Sequence, residues 1–132
     1  MTQKEIFGLC DTVRETSYGL HVYLRHGHKE KIYENGLAHR LRKQGLPVEQ
    51  QSSLKVFDDD GTELGTLDVD LLVAGELIVE LKAVKSLLNE HIAQLLGYLR
   101  ASRKEHGLLI NFGAPKLEIR KYALSQDLDS NL

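Results

Sequence analysis

Several familiar kinds of protein are excluded by what this sequence lacks. It has one cysteine, Cys10, two prolines and no tryptophan. A lone thiol closes no intrachain disulfide and supplies no thiolate set for a structural zinc, so a reducing, cytoplasmic setting is the expectation. No run of about 18 apolar residues occurs, and the opening MTQKEIFGLCDTVRE lacks the apolar stretch of a signal peptide. Neither a membrane span nor export is therefore expected. An excess of positive charge is missing too: 17 Lys and Arg stand against 19 Asp and Glu, a net charge of −2. No general field draws this chain to a polyanion, so any such attraction has to be local. The candidate patches are Arg40, Arg42 and Lys43; Arg100, Arg103 and Lys104; and Lys116, Arg120 and Lys121. Each reads equally well as an ordinary solvated helix end or strand face.

Low-complexity stretches, repeats and linkers are also absent, and 132 residues suit one domain spanning 1–132. Its core is expected over about 6–124, followed by a polar tail at 125–132. Ile6, Leu9, Val13, Leu20 and Leu24 recur at helical spacing over residues 4 to about 25. Residues 30–44 predict a second helix, with Ile32, Tyr33, Leu37 and Leu41 inward and Gly45 and Pro47 ending it. The period then changes to that of strands: VEQQSSLKVF, a DDDG turn, TELGTLDVDLLV with a bulge at Gly65, and ELIVELKAV. Asn89 is placed to cap a helix running to about Ser102, after which GLLINFG and KLEIRKYAL read as two further strands. Two helices, three strands, a helix and two strands make an α/β or α+β domain with a mixed central sheet flanked by helices.

Three charges sit badly in that scheme. Asp70, Glu80 and Lys82 lie within LDVDLLVAGELIVELKAV, among residues that otherwise read as buried strand. Alternation puts Leu77, Val79 and Leu81 on one face and Ile78, Glu80 and Lys82 on the other. Both faces are apolar, as in a strand covered on two sides, where an unpaired carboxylate is costly. If Ala74, Gly75 and Glu76 form a three-residue loop, Val73 pairs with Leu77 and Asp70 falls opposite Glu80. Two carboxylates about 5 Å apart can share one divalent ion, with Lys82 two residues along the same face. The plainer reading is a cross-strand salt-bridge ladder on a wet face. The apolar neighbours argue against it.

Asp70, with nine residues before Glu80-Leu81-Lys82, resembles the D…(D/E)xK signature of the PD-(D/E)XK nuclease superfamily. Gly27 to Tyr33, GHKEKIY, is similar to the GxxExxY pattern of one of its small-protein families. Gln94 to Tyr98, QLLGY, resembles the QxxxY motif of its RecB-type members. Val69 stands where the superfamily's name has proline. The resemblance covers residues 6–124 and implies a restriction-endonuclease-like core and a metal-dependent nuclease acting on nucleic acid, DNA in preference to RNA. It implies that Asp70 and Glu80 hold Mg2+ or Mn2+, that the Leu81 backbone carbonyl adds a ligand, and that Glu30 contributes through a water. Lys82 would position the attacking water or stabilise the developing negative charge, and Gln94 and Tyr98 would orient the metal-bound carboxylates or hold a substrate phosphate.

The chemistry agrees with those assignments. Hard cations held by carboxylates can stabilise the charge-dense transition state of phosphodiester hydrolysis. Taken without the resemblance, Gln94 and Tyr98 read as the border of an amphipathic helix, Glu30 as a first-turn acid and Tyr33 as core. His21, His26, His28 and His39 form no ligand pattern and read as surface residues. A non-catalytic nucleic-acid-binding or regulatory module is the alternative function. The small size leaves room for a homodimer or a partner protein to supply substrate binding.

Overall fold

A computed structural model describes residues 1–124, so the tail expected at 125–132 lies outside the described residues. Helices α1 (Gln3–Leu24) and α2 (Glu30–Lys43) are followed by strands β1 (Val48–Phe57), β2 (Glu63–Val73) and β3 (Leu77–Lys82). Helix α3 (Asn89–Ser102) then leads to β4 (His106–Asn111) and β5 (Glu118–Ala123). The five strands lie in the order β1-β2-β3-β4-β5. All neighbours are antiparallel except β3 and β4, which α3 joins as a parallel pair. This is the α+β, mixed-sheet, restriction-endonuclease-like fold that the motif order implied.

Each face of the sheet carries its own core. Ile6, Leu9 and Val13 of α1 and Tyr33, Leu37 and Leu41 of α2 pack on Leu77, Val79 and Leu81. Leu95 and Leu99 of α3 pack on Ile78 and Leu109. Strand β3 is therefore buried on both sides, as its composition demanded, and the alternation read from its sequence holds. A Cβ added at Gly107 would come within 2.9 Å of Leu95, so this glycine lets α3 lie close against β4.

Three local expectations need correcting. Ile32 is 47% exposed rather than inward; the buried stripe of α2 takes Tyr33 and the acid Glu34 instead. Asn89 is the first residue of α3, not its cap; Leu88 holds the cap position, and its N–H donates to His91 Nδ1 at 3.0 Å. His21 is buried, with Nε2 3.0 Å from the Ala114 carbonyl oxygen and its ring beside Phe112. That partner is far along the chain, so helical periodicity alone could not place His21 inside.

Candidate active site

The three-residue loop sets the site. Ala74 and Gly75 both adopt left-handed backbone, at φ 53° and 69°, and the Glu76 N–H returns to the Val73 carbonyl at 3.1 Å. Two left-handed central residues match the twist of the flanking strands, and Val73 pairs with Leu77 as the loop length predicted. Leu72 then pairs with Ile78 and Leu71 with Val79, where the ladder stops. The next pair in this register is Asp70 and Glu80.

Side chains take over from backbone at that point. The Asp70 N–H donates to Glu80 Oε1 at 3.1 Å, and the Leu81 N–H donates to Asp70 Oδ2 at 2.8 Å. The two carboxylates thus occupy the gap where β2 and β3 part. N–H and C=O of one strand residue point to the same side, so the Leu81 carbonyl also faces Asp70. Lys82 turns its backbone the other way, its carbonyl accepting from the Phe112 N–H at 2.9 Å.

Glu80 is 4% exposed. Burial, then the Asp70 charge and the side-chain hydrogen bond to Asp70, push its carboxyl up to about 9, with the Lys82 charge a smaller opposing influence. A buried pair of carboxylates whose mutual repulsion outweighs the nearby ammonium fits a hard divalent cation, which would replace the proton that Glu80 otherwise holds. Glu30, in the first turn of α2, is raised by burial and by the Asp70 charge, countered by Lys82 and the backbone of Ala83. It therefore belongs to the same charge cluster. Three ligand atoms within 4.8 Å of one another occur, among the described residues, at Asp58, Asp59 and Asp60. Those three are exposed at the β1–β2 turn, where Asp58 and Asp60 accept backbone N–H bonds that shape it. Asp70, Glu80 and Glu30 do not form a group that close.

On the α3 side, Lys82 Nζ donates to Gln94 Oε1 at 3.1 Å and Gln94 Nε2 donates to the Tyr98 hydroxyl, also at 3.1 Å. The spacing of Gln94 and Tyr98, one helical turn, lets a single amide bridge them. Burial and the Glu80 and Asp70 charges raise the Tyr98 phenol, which places it within reach of both carboxylates' fields. The ammonium is held by an amide and stays available, unlike a rung of a salt-bridge ladder.

All six residues singled out in the sequence thus converge on the end of β3, from β2, β3, α2 and α3. The profile of the PD-(D/E)XK nuclease superfamily matches residues 8–122. This chain belongs to that superfamily. The crystal structure of SSO0001 matches 76% of the chain with a TM-score of 0.56 at 18% identity, a likeness of fold, and the chain spans 57% of that protein. No curated protein matches the sequence.

In this superfamily member three further residues, which its sequence did not single out, hold the surroundings of the carboxylate cluster. Gln51 lies mid-strand with φ 49°, and its amide donates to both Glu34 Oε1 at 2.7 Å and Asp70 Oδ1 at 3.2 Å. There the hairpin turns over: Val69 packs in the α3-side core and Leu71, two residues on, in the opposite one. Glu34 is buried; burial raises its carboxyl, but hydrogen bonds from Lys31, Gln50 and Gln51 outweigh this and hold it below the usual range. Asn111, fully buried, binds both backbone groups of Val84 and so fixes the chain just beyond Lys82.

The Gln51 tether has a measurable consequence. Gln51→Gly suits the left-handed backbone and should change stability by no more than about 1 kcal/mol. Gln51→Ala keeps the backbone strain, loses the tether and should cost about 1–2 kcal/mol. Both should weaken manganese binding several-fold in a calorimetric titration. Unchanged affinity in both variants would show that the tether does not shape Asp70.

Proposed function

We propose that this chain is a divalent-metal-dependent nuclease that hydrolyses phosphodiester bonds of nucleic acid, DNA in preference to RNA, in the cytoplasm. The observation that carries this reading is the Asp70–Glu80 pair inserted between parting strands, with an amide-held Lys82 beside it. Asp70, Glu80 and the Leu81 carbonyl would hold Mg2+ or Mn2+, with Glu30 reaching it through a water. When bound, such an ion supplies Lewis-acid stabilisation of charge on the phosphoryl oxygens and lowers the pKa of water. Lys82 orients the attacking water and stabilises negative charge as it develops. Gln94 keeps Lys82 from collapsing onto the carboxylates, and Tyr98 fixes which way that amide points.

The GxxExxY assignment within the superfamily gains support from three separate roles. Gly27 has φ 110°, a conformation L side chains rarely adopt. Glu30 joins the carboxylate cluster. Tyr33 is buried, stacks on Phe112 with centroids 4.8 Å apart, donates to the Arg25 carbonyl and accepts from the His28 N–H. It therefore closes the loop that delivers Glu30.

No described helix is long and apolar enough to cross a membrane, and the expected substrate is single-stranded or end-containing DNA, which reaches a recessed site more readily than a closed circle. Labelled single-stranded, duplex and circular DNA and RNA should be incubated with magnesium, manganese or chelator. Cleavage is expected only with metal, fastest on single-stranded or end-containing DNA, and at least about 1,000-fold slower in Glu80→Gln. Binding without cleavage under every condition would overturn the enzyme in favour of a binding module.

A further inference from the structure

Charge in this chain is unevenly placed. Residues 21–44 hold six Lys and Arg, two Glu and four of the six histidines, while the rest has eleven basic residues against seventeen acidic ones. Of the two acids in that segment, Glu30 belongs to the candidate active site and Glu34 is buried and paired with Lys31 at 2.8 Å. Beyond Glu30 the solvent face of α2 carries no acid.

The far end of α2 is more than a basic helix terminus. Arg40 lies across α1: a Cβ added at Gly19 would sit 3.4 Å from its guanidinium nitrogen, and its guanidinium carbon is 5.6 Å from the Tyr23 ring centroid. Gly19 and Tyr23 are one turn apart on α1, so the guanidinium is laid along a single stripe. Among the described residues Arg40 has no carboxylate partner. Tyr23 is 76% exposed. His39, Lys43 and Gln44 complete a shallow depression around Arg40. The favourable field of a helix C-terminus accounts for the cations but not for an exposed aromatic ring braced by one of them. Elsewhere Lys104 is occupied with the Gly75 carbonyl and Lys121 with the Phe7 ring, 3.6 Å away.

We infer that the Tyr23–Arg40–Lys43 face is a second nucleic-acid contact of this protein, in which Tyr23 stacks on an unpaired base and Arg40, Lys43 and His39 hold backbone phosphates. The inference rests on the nuclease reading, since Glu30 opens the same helix at the candidate active site. Helix α2 is about 20 Å long, the length of about six nucleotides of a stacked strand. Lys43 lies about 140° around the helix from Glu30, at about 100° per residue, so a strand longer than about six nucleotides is needed to pass from the site around α2 to the face. Bases of any identity have a π-face, so the contact measures length and strandedness, not sequence.

Binding of fluorescent single-stranded oligonucleotides of about 4 and about 16 nucleotides, in chelator, tests this on the full chain. The longer strand should bind at least tenfold more tightly, and Arg40→Gln with Lys43→Gln should remove most of that gain and lower the salt slope by about 1–2. Tyr23→Ala should cost about tenfold for the longer strand, and Tyr23→Phe should restore it. The chain has no tryptophan, so Tyr23→Trp places a lone reporter that stacking should quench saturably. Equal binding of both lengths, or no quenching, overturns the inference. So does a dimer, seen by sedimentation, that the Arg40 and Lys43 changes dissolve, since the face would then bind the acidic Asp58–Asp60 turn of a second copy. Failure of the nuclease reading is read separately: cleavage would be absent with every metal while length-dependent binding stood.

Discussion

Held in chelator, the protein should lose folding stability as pH rises from about 4.5 to about 9, the ordinary and folded values of Glu80, and Glu80→Gln should flatten the decline. The folded state keeps a proton on the buried carboxyl that the unfolded chain has already released across that window. Stability from Glu80 is thus complete below the unfolded value and lost as pH climbs through the folded one, with a limiting slope of about 1.4 kcal/mol per pH unit. Glu30, raised first by burial and then by Asp70, tilts the profile the same way. Glu34 acts oppositely: its lowered carboxyl stabilises above the unfolded value, and that contribution disappears in acid. At pH 8 Glu80→Gln should melt above the parent by roughly 5 °C or more, because a neutral amide avoids the burial penalty. Magnesium takes the place of the proton, so its stabilising effect on the parent should grow with pH over the same window. A flat profile in the parent, measured by thermal melts from pH 5 to 9, would mean that Glu80 titrates normally and that the site is not the desolvated pair described above.

Lys82→Ala should separate chemistry from metal binding. Lys82 gives its hydrogen bond to Gln94 rather than serving as the counter-ion of the carboxylates, and the Asp70 charge acts on Glu80 more strongly than the Lys82 charge does. Removing the ammonium should therefore leave manganese affinity within a few-fold while cleavage falls by about 100- to 1,000-fold, the usual cost of a lost transition-state donor. The decline should be in kcat with KM little altered. Lys82→Arg should rescue poorly, because a planar guanidinium places its protons differently from an ammonium. A matching collapse of metal affinity would make Lys82 a structural partner of the carboxylates, as in an ordinary salt-bridge ladder. Loss of folding, followed by circular dichroism, would point the same way.

What the sequence determined by itself is local in origin. Element order follows from hydrophobic period and turn residues, each decided within about ten residues. The meeting of Asp70 and Glu80 follows from one three-residue loop, because alternation carries register along both strands. Lys82 needs only alternation beyond that, whereas Gln94 and Tyr98 are drawn to the site by the resemblance to the QxxxY motif, because helical spacing by itself reads them as the border of an amphipathic helix. Tertiary structure decided what depends on residues distant in the chain. Gln51 looks like any polar strand residue; only its bonds to Glu34 on α2 and Asp70 on β2 stabilise a left-handed turn in mid-strand. That turn reverses the faces of Val69 and Leu71, which strict alternation would have kept together. Glu34 and His21 are buried because partners supplied by β1 and by the loop after β4 satisfy them, and Ile32 is left outside because the helix turns its acid inward. A polar group can be buried only where its hydrogen bonds are met, and the groups that meet them here come together only when the chain has folded.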